Sequence, residues 1–135
     1  MSAVDFTEWA APDLVLTFGG RTFAVRPPSV DDMSKVLALA ARGEVNLGIA
    51  PKGTVIPAPI QDVIDSIGPT DHPALGSAFH EMRDAGLPMA TIDRAAYYAV
   101  FYWARGKAYA DALATLLWTP KAEATADEAA DAPKD

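Results

Sequence analysis

The spacing of hydrophobic and polar positions changes from strand-like to helical near Pro27. Before it lie two strand-like runs, Leu14-Val15-Leu16-Thr17-Phe18 and Arg21-Thr22-Phe23-Ala24-Val25-Arg26, joined by Gly19-Gly20. Such runs around two glycines predict a β-hairpin with a type I′ turn, because both central residues of that turn need positive φ. On the second run Phe23 and Val25 share one side, and Arg21, Thr22 and Arg26 are left to solvent. A lone hairpin is marginal in water, so this one is expected to pack on the helices that follow.

After Pro27-Pro28 the apolar positions Val30, Met33, Val36, Leu37 and Ala40 fall at helical spacing. Ser29 with Asp32 makes a capping pattern, Asp31 and Asp32 suit the positive helix end, and Gly43 suits the stop. The expectation is a helix over residues 30–42. Residues 44–69 are dense in Gly and Pro and hold one short helix, with Ile60, Val63, Ile64 and Ile67 on one face. A third helix is predicted from the Asp71-His72-Pro73 start, through Leu75, Ala78, Phe79 and Met82, to Gly86. The last, over residues 92–118, is capped by Thr91 with Asp93 in its first turn, and breaks or bends at Gly106. Its first half is apolar nearly all round, which places it centrally.

The fold class expected is therefore α+β, mainly α: an N-terminal β-hairpin packed on a bundle of about four helices. Of the 135 residues, 1–120 form one folded domain, ending near Trp118 and Pro120. Residues 121–135 carry two lysines against five acids and no large apolar side chain, so a disordered acidic tail is expected there, solubilising or interacting.

Charge narrows the function. The chain has 11 basic and 18 acidic residues and a formal charge of -7, which argues against nucleic acid as a partner. No apolar run is long enough to span a membrane, and MSAVDFTEWAAPD lacks the basic and apolar regions of a secretory signal. Cysteine is absent, which excludes a thiol nucleophile and every thiolate metal site. His80-Glu81-Met82-Arg83-Asp84 begins like HExxH but ends in Asp84, so the second imidazole of a zinc site is missing. There is no GxSxG elbow, and Gly19-Gly20 joins two strands where a phosphate loop joins a strand to a helix. The pairs Asp31-Asp32 and Asp62 with Asp65 fit helix starts and exposed faces. No metal, cofactor or catalytic residue is expected, and the chain is not read as an enzyme.

What remains is surface. Aromatic residues gather in the last helix, where Tyr97, Val100, Phe101 and Trp103 suit a core. Arg94, Tyr98, Tyr102, Arg105 and Tyr109 follow one another at spacings of four, four, three and four. That stripe reads either as a solvated helix face or as a partner-binding surface, Tyr and Arg being prominent in interface hot spots. Apolar helical surfaces with such rims receive amphipathic helices.

Three blocks carry a family resemblance. They are Pro12-Asp13-Leu14…Leu16…Gly19-Gly20-Arg21…Phe23…Val25…Pro27-Pro28-Ser29, Leu75-Gly76…Glu81-Met82…Gly86-Leu87-Pro88, and Tyr102-Trp103…Gly106. In order and spacing, from Pro12 to Trp118, the chain resembles the small tail assembly chaperones of long-tailed, siphovirus-type phages that infect actinobacteria. The resemblance implies a non-enzymatic protein of the host cell cytoplasm that coats the tape measure protein and is missing from the mature virion. It also implies a form extended by ribosomal frameshifting that recruits tail tube subunits, and it leaves room for self-association. On it, replacing Tyr98 and Tyr102 together by Ala is expected to weaken recovery of the tape measure protein with the helical spectrum intact. The alternatives are a structural tail or head-tail connector subunit retained in the virion, and a small enzyme or host-directed effector.

Overall fold

The computed structural model describes residues 3–119, so the tail expected at 121–135 lies outside the described residues. The order is a short 3-10 turn (Thr7–Trp9), β1 (Leu14–Phe18), β2 (Arg21–Val25), α1 (Val30–Asn46), α2 (Ala58–Asp65), α3 (Ser77–Asp84), α4 (Met89–Arg105) and α5 (Lys107–Trp118). This is the expected α+β, mainly α architecture, with five helices in place of four because the last predicted helix is two.

β1 and β2 pair antiparallel from Leu14↔Val25 to Phe18↔Arg21, around the predicted two-residue loop. Only Gly19 has positive φ, +65°, so the turn follows the II′ pattern and not the I′ pattern expected. Phe23 and Val25 enter the core beside Leu14, while Arg21, Thr22 and Arg26 stay exposed. β2 packs on α3, and Arg21 Nη1 donates to the Ala85 carbonyl at 2.6 Å just past that helix.

Ser29 caps α1 by accepting from the Asp32 N–H at 3.2 Å. The helix does not stop at Gly43. It continues another turn to Asn46, and the Gly48 and Ile49 amides close it onto the Val45 and Glu44 carbonyls in a Schellman arrangement. Gly43 is instead buried against α4, where an added Cβ would lie 2.9 Å from Phe101 Cζ. Val36 and Ala40 face the core as expected, but Val30 is 88% exposed and Leu37 lies outside as well.

α3 begins at Ser77, four residues later than predicted. The Gly76 N–H returns to the His72 carbonyl at 2.8 Å, so Pro73 sits in a tight turn before the helix. It ends as expected before Gly86, which donates to Arg83 while Leu87 donates to Met82. α4 starts at Met89 behind Pro88 with no side-chain cap, so Thr91 is already inside it. α4 is the central element, packing on α1, α3 and α5 and burying Ile92, Ala95, Ala99, Val100 and Phe101. Tyr97 and Trp103 pack against the same core, and Trp103 Nε1 donates to the Ala74 carbonyl at 3.1 Å.

Candidate functional site

Gly106, at φ +99° and ψ 165°, breaks the last predicted helix outright, in a conformation that only glycine adopts freely. α5 folds back along α4 as a helical hairpin, with the Phe101 and Tyr109 rings 5.7 Å apart. The spacing that aligned Arg94, Tyr98, Tyr102, Arg105 and Tyr109 assumed one continuous helix. Tyr109 belongs to α5, so the five do not form a single stripe.

Three of the five commit their polar groups to other side chains of this chain. Tyr98 donates to Asp111 Oδ1 at 2.5 Å, and Lys107 Nζ approaches Asp111 Oδ2 at the same distance. Burial, reinforced by the Asp111 carboxylate, pushes the Tyr98 phenol well above its usual range. Arg105 grips Glu44 with Nε at 2.8 Å and Nη2 at 2.9 Å, and the Tyr109 hydroxyl donates to Glu44 Oε2 at 2.8 Å. These bonds, Arg105's first, hold the Glu44 carboxyl below the usual glutamate value. Tyr102 lies edge-on to Trp103 at 4.9 Å. Arg94 stands over the Trp118 ring, 5.6 Å from its centroid. All five thus meet another side chain inside this chain, and Tyr98, Arg105 and Tyr109 do so through a hydrogen bond. Replacing Tyr98 and Tyr102 together by Ala would disturb the α4–α5 contact as well as any surface.

His80, Glu81 and Asp84 are exposed on α3, and among the described residues no group of three or more His, Cys, Asp or Glu side chains is set to hold a metal ion. His72 stacks on Phe79 at 3.8 Å, and burial lowers its pKa. Asp31 and Asp32 occupy the first turn of α1, while Asp65 accepts from Gln61 on the outside of α2.

The open apolar surface lies elsewhere. On α5, Tyr109, Ala112, Leu113 and Leu116 repeat at i, i+3, i+4 and i+7, and with Ile49 they line a groove of about 200 Å³. Leu116 is 79% and Ile49 48% exposed. Glu44 holds both walls. Its backbone carbonyl accepts from the Ile49 N–H at 2.9 Å, and its carboxylate fixes Tyr109. Only Tyr109 of this seam belongs to the sequence-derived stripe. The i, i+3, i+4, i+7 pattern within residues 109–116 was the available signal, once Gly106 is taken as a helix end. A second open region surrounds the Arg94–Trp118 pair, with clefts of about 350 Å³ on either side of it.

The model of a domain family of unknown function, DUF7426, matches residues 4–135. No curated protein and no solved structure matches the chain.

Proposed function

The chain belongs to the DUF7426 family, and from that premise we propose that it is a tail assembly chaperone that binds a phage tape measure protein and keeps it soluble while the tail is built. The observation that carries the reading is the α5 seam. Tyr109, Ala112 and Leu116 offer an apolar stripe of two helical turns over a floor of buried Leu113, and Ile49 forms the opposite wall. A stripe of that period and length receives the apolar face of an amphipathic helix, at anchor positions of the same spacing. A tape measure chain is a long succession of such helices. The net charge of -7 keeps a coated, crowded complex from self-adhering. The resemblance of Pro12 to Trp118 to the actinobacteriophage tail chaperones supplies the identity of the partner.

On this reading the protein acts in the host cytoplasm by binding and performs no reaction, and a frameshift-extended form brings tube subunits to the coated chain. A very long, helical reading frame immediately downstream of the gene is expected. The test is co-expression with that downstream product. The tape measure protein is expected to become soluble and to co-purify, and its remaining insoluble and unbound would defeat the reading. Mass spectrometry of purified virions separates this from a connector subunit, which would be found in the particle.

A further inference from the structure

The amino-terminal arm is an organised element that buries nothing. The Asp5 carboxylate accepts from the Thr7 N–H at 3.0 Å and from the Thr7 hydroxyl at 2.6 Å, and the Trp9 N–H closes on the Phe6 carbonyl at 2.9 Å. This short turn presents Phe6 and Trp9 as a preformed edge-to-face pair, with centroids 5.4 Å apart. The rings are 64% and 67% exposed, and Val4 beside them is exposed too. Two large aromatic side chains already set against each other lose less freedom on binding than two independent ones. The arm also carries Asp5, Glu8 and Asp13 and no basic residue.

The complementary surface is the region around Arg94 and Trp118. On one side of that pair the cleft is walled by Leu16, Phe18, Ala95 and Tyr98, and on the other by Leu47, Tyr97 and Leu117, with Asp93 also on that side. Among the described residues Arg94 has no carboxylate within ion-pairing distance, and neither has Arg42 nearby on α1. A preformed acidic–aromatic arm and an apolar cleft with an unmatched guanidinium thus occur on the same polypeptide.

We propose that the arm of one copy docks into the Arg94–Trp118 cleft of a second copy, Phe6 and Trp9 filling the apolar walls and Glu8 pairing with Arg94, in a reciprocal two-fold dimer. With both rings about two-thirds exposed, each arm has roughly 200–300 Å² of aromatic surface left to hide. Exchange in both directions, with the matching cleft surface, covers about 800–1,200 Å², the size of a small, reversible interface. The cleft lies apart from the α5 seam, so the dimer stands or falls independently of the tape-measure reading.

Sedimentation of the full chain over a range of concentrations tests it. The expected result is a dimer that Phe6→Ala with Trp9→Ala dissociates at least tenfold more readily, with the melting curve of the monomer unchanged because neither ring is in the core. Glu8→Arg alone and Arg94→Glu alone are each expected to weaken the dimer, and the two together to restore it. A monomer at every concentration up to about 100 μM, well above the micromolar range that interfaces of this size reach, would overturn the proposal. So would a dimer indifferent to Phe6 and Trp9, or a charge exchange that fails to restore association.

Discussion

Glu44 receives the Arg105 guanidinium edge-on, Oε2 taking Nε at 2.8 Å and Oε1 taking Nη2 at 2.9 Å, and so pins the last turn of α1 to the last turn of α4. The pairing is bidentate, and a point charge does not reproduce it. Arg105→Lys is therefore expected to behave nearly as Arg105→Ala in urea unfolding. A lysine variant as stable as the parent would show that only charge matters here.

The same carboxylate sets an acid limb of stability. Arg105 and Tyr109 lower its pKa in the folded chain below the ordinary glutamate value, so the unfolded state takes up the proton first as pH falls. The contribution is fully present above the unfolded value and is lost as pH drops through the lowered folded one. Stability is expected to decline below about pH 5. Glu44→Gln, starting less stable, should show a shallower decline over that window. Parallel curves for the two proteins would remove Glu44 from the acid limb.

His72 works in a higher window. Burial lowers its pKa, so the neutral ring on Phe79 is the form the fold prefers. Its contribution is present above the unfolded histidine value and fades as pH falls from about 7 towards the lowered folded value. His72→Phe keeps a stacking ring and cannot titrate. Urea midpoints measured between pH 7 and 5 should fall for the parent and stay flatter for the variant, and equal slopes would refute the assignment.

Gly43 and Phe101 meet without room for a methyl group. Gly→Ala inside a helix ordinarily stabilises by ~1 kcal/mol. Here the new Cβ would press on a ring that is 1% exposed, from 2.9 Å, and overpacking costs about 1–3 kcal/mol. Gly43→Ala is expected to lower the melting temperature, and a rise would show that α1 and α4 can separate freely.

That glycine also marks where sequence reading stops. The hairpin, the Ser29 cap, the Gly86 stop and the Gly106 break are local signals, visible within a few residues. Gly43 resembled a helix stop by the same local logic, but its reason is Phe101, distant in sequence and adjacent only after folding. The early start assigned to α3 has a similar origin, since Pro73 suits a first helical turn until the Gly76 turn is seen to intervene. The Arg94–Tyr109 spacing does not trace one line because it was carried across Gly106, where one helix ends and the next begins. The Tyr98 and Tyr109 hydroxyls and the Arg105 charge are taken up by Asp111 and Glu44, whose helices the sequence does not place opposite them. The exposed seam on α5 was legible only in part, because Ile49 joins it through the α1 closure.

Calorimetric titration with an amphipathic helical peptide from the tape measure protein puts helix binding by the α5 seam to the test. Leu116 is exposed in the free chain, so Leu116→Asp should leave the melting curve in place. Losing a buried leucine from the complex is worth about 1.5–3 kcal/mol, a roughly 10- to 150-fold weaker Kd. That loss, with the fold intact, is the predicted result. An unchanged Kd for the Asp variant would contradict the account.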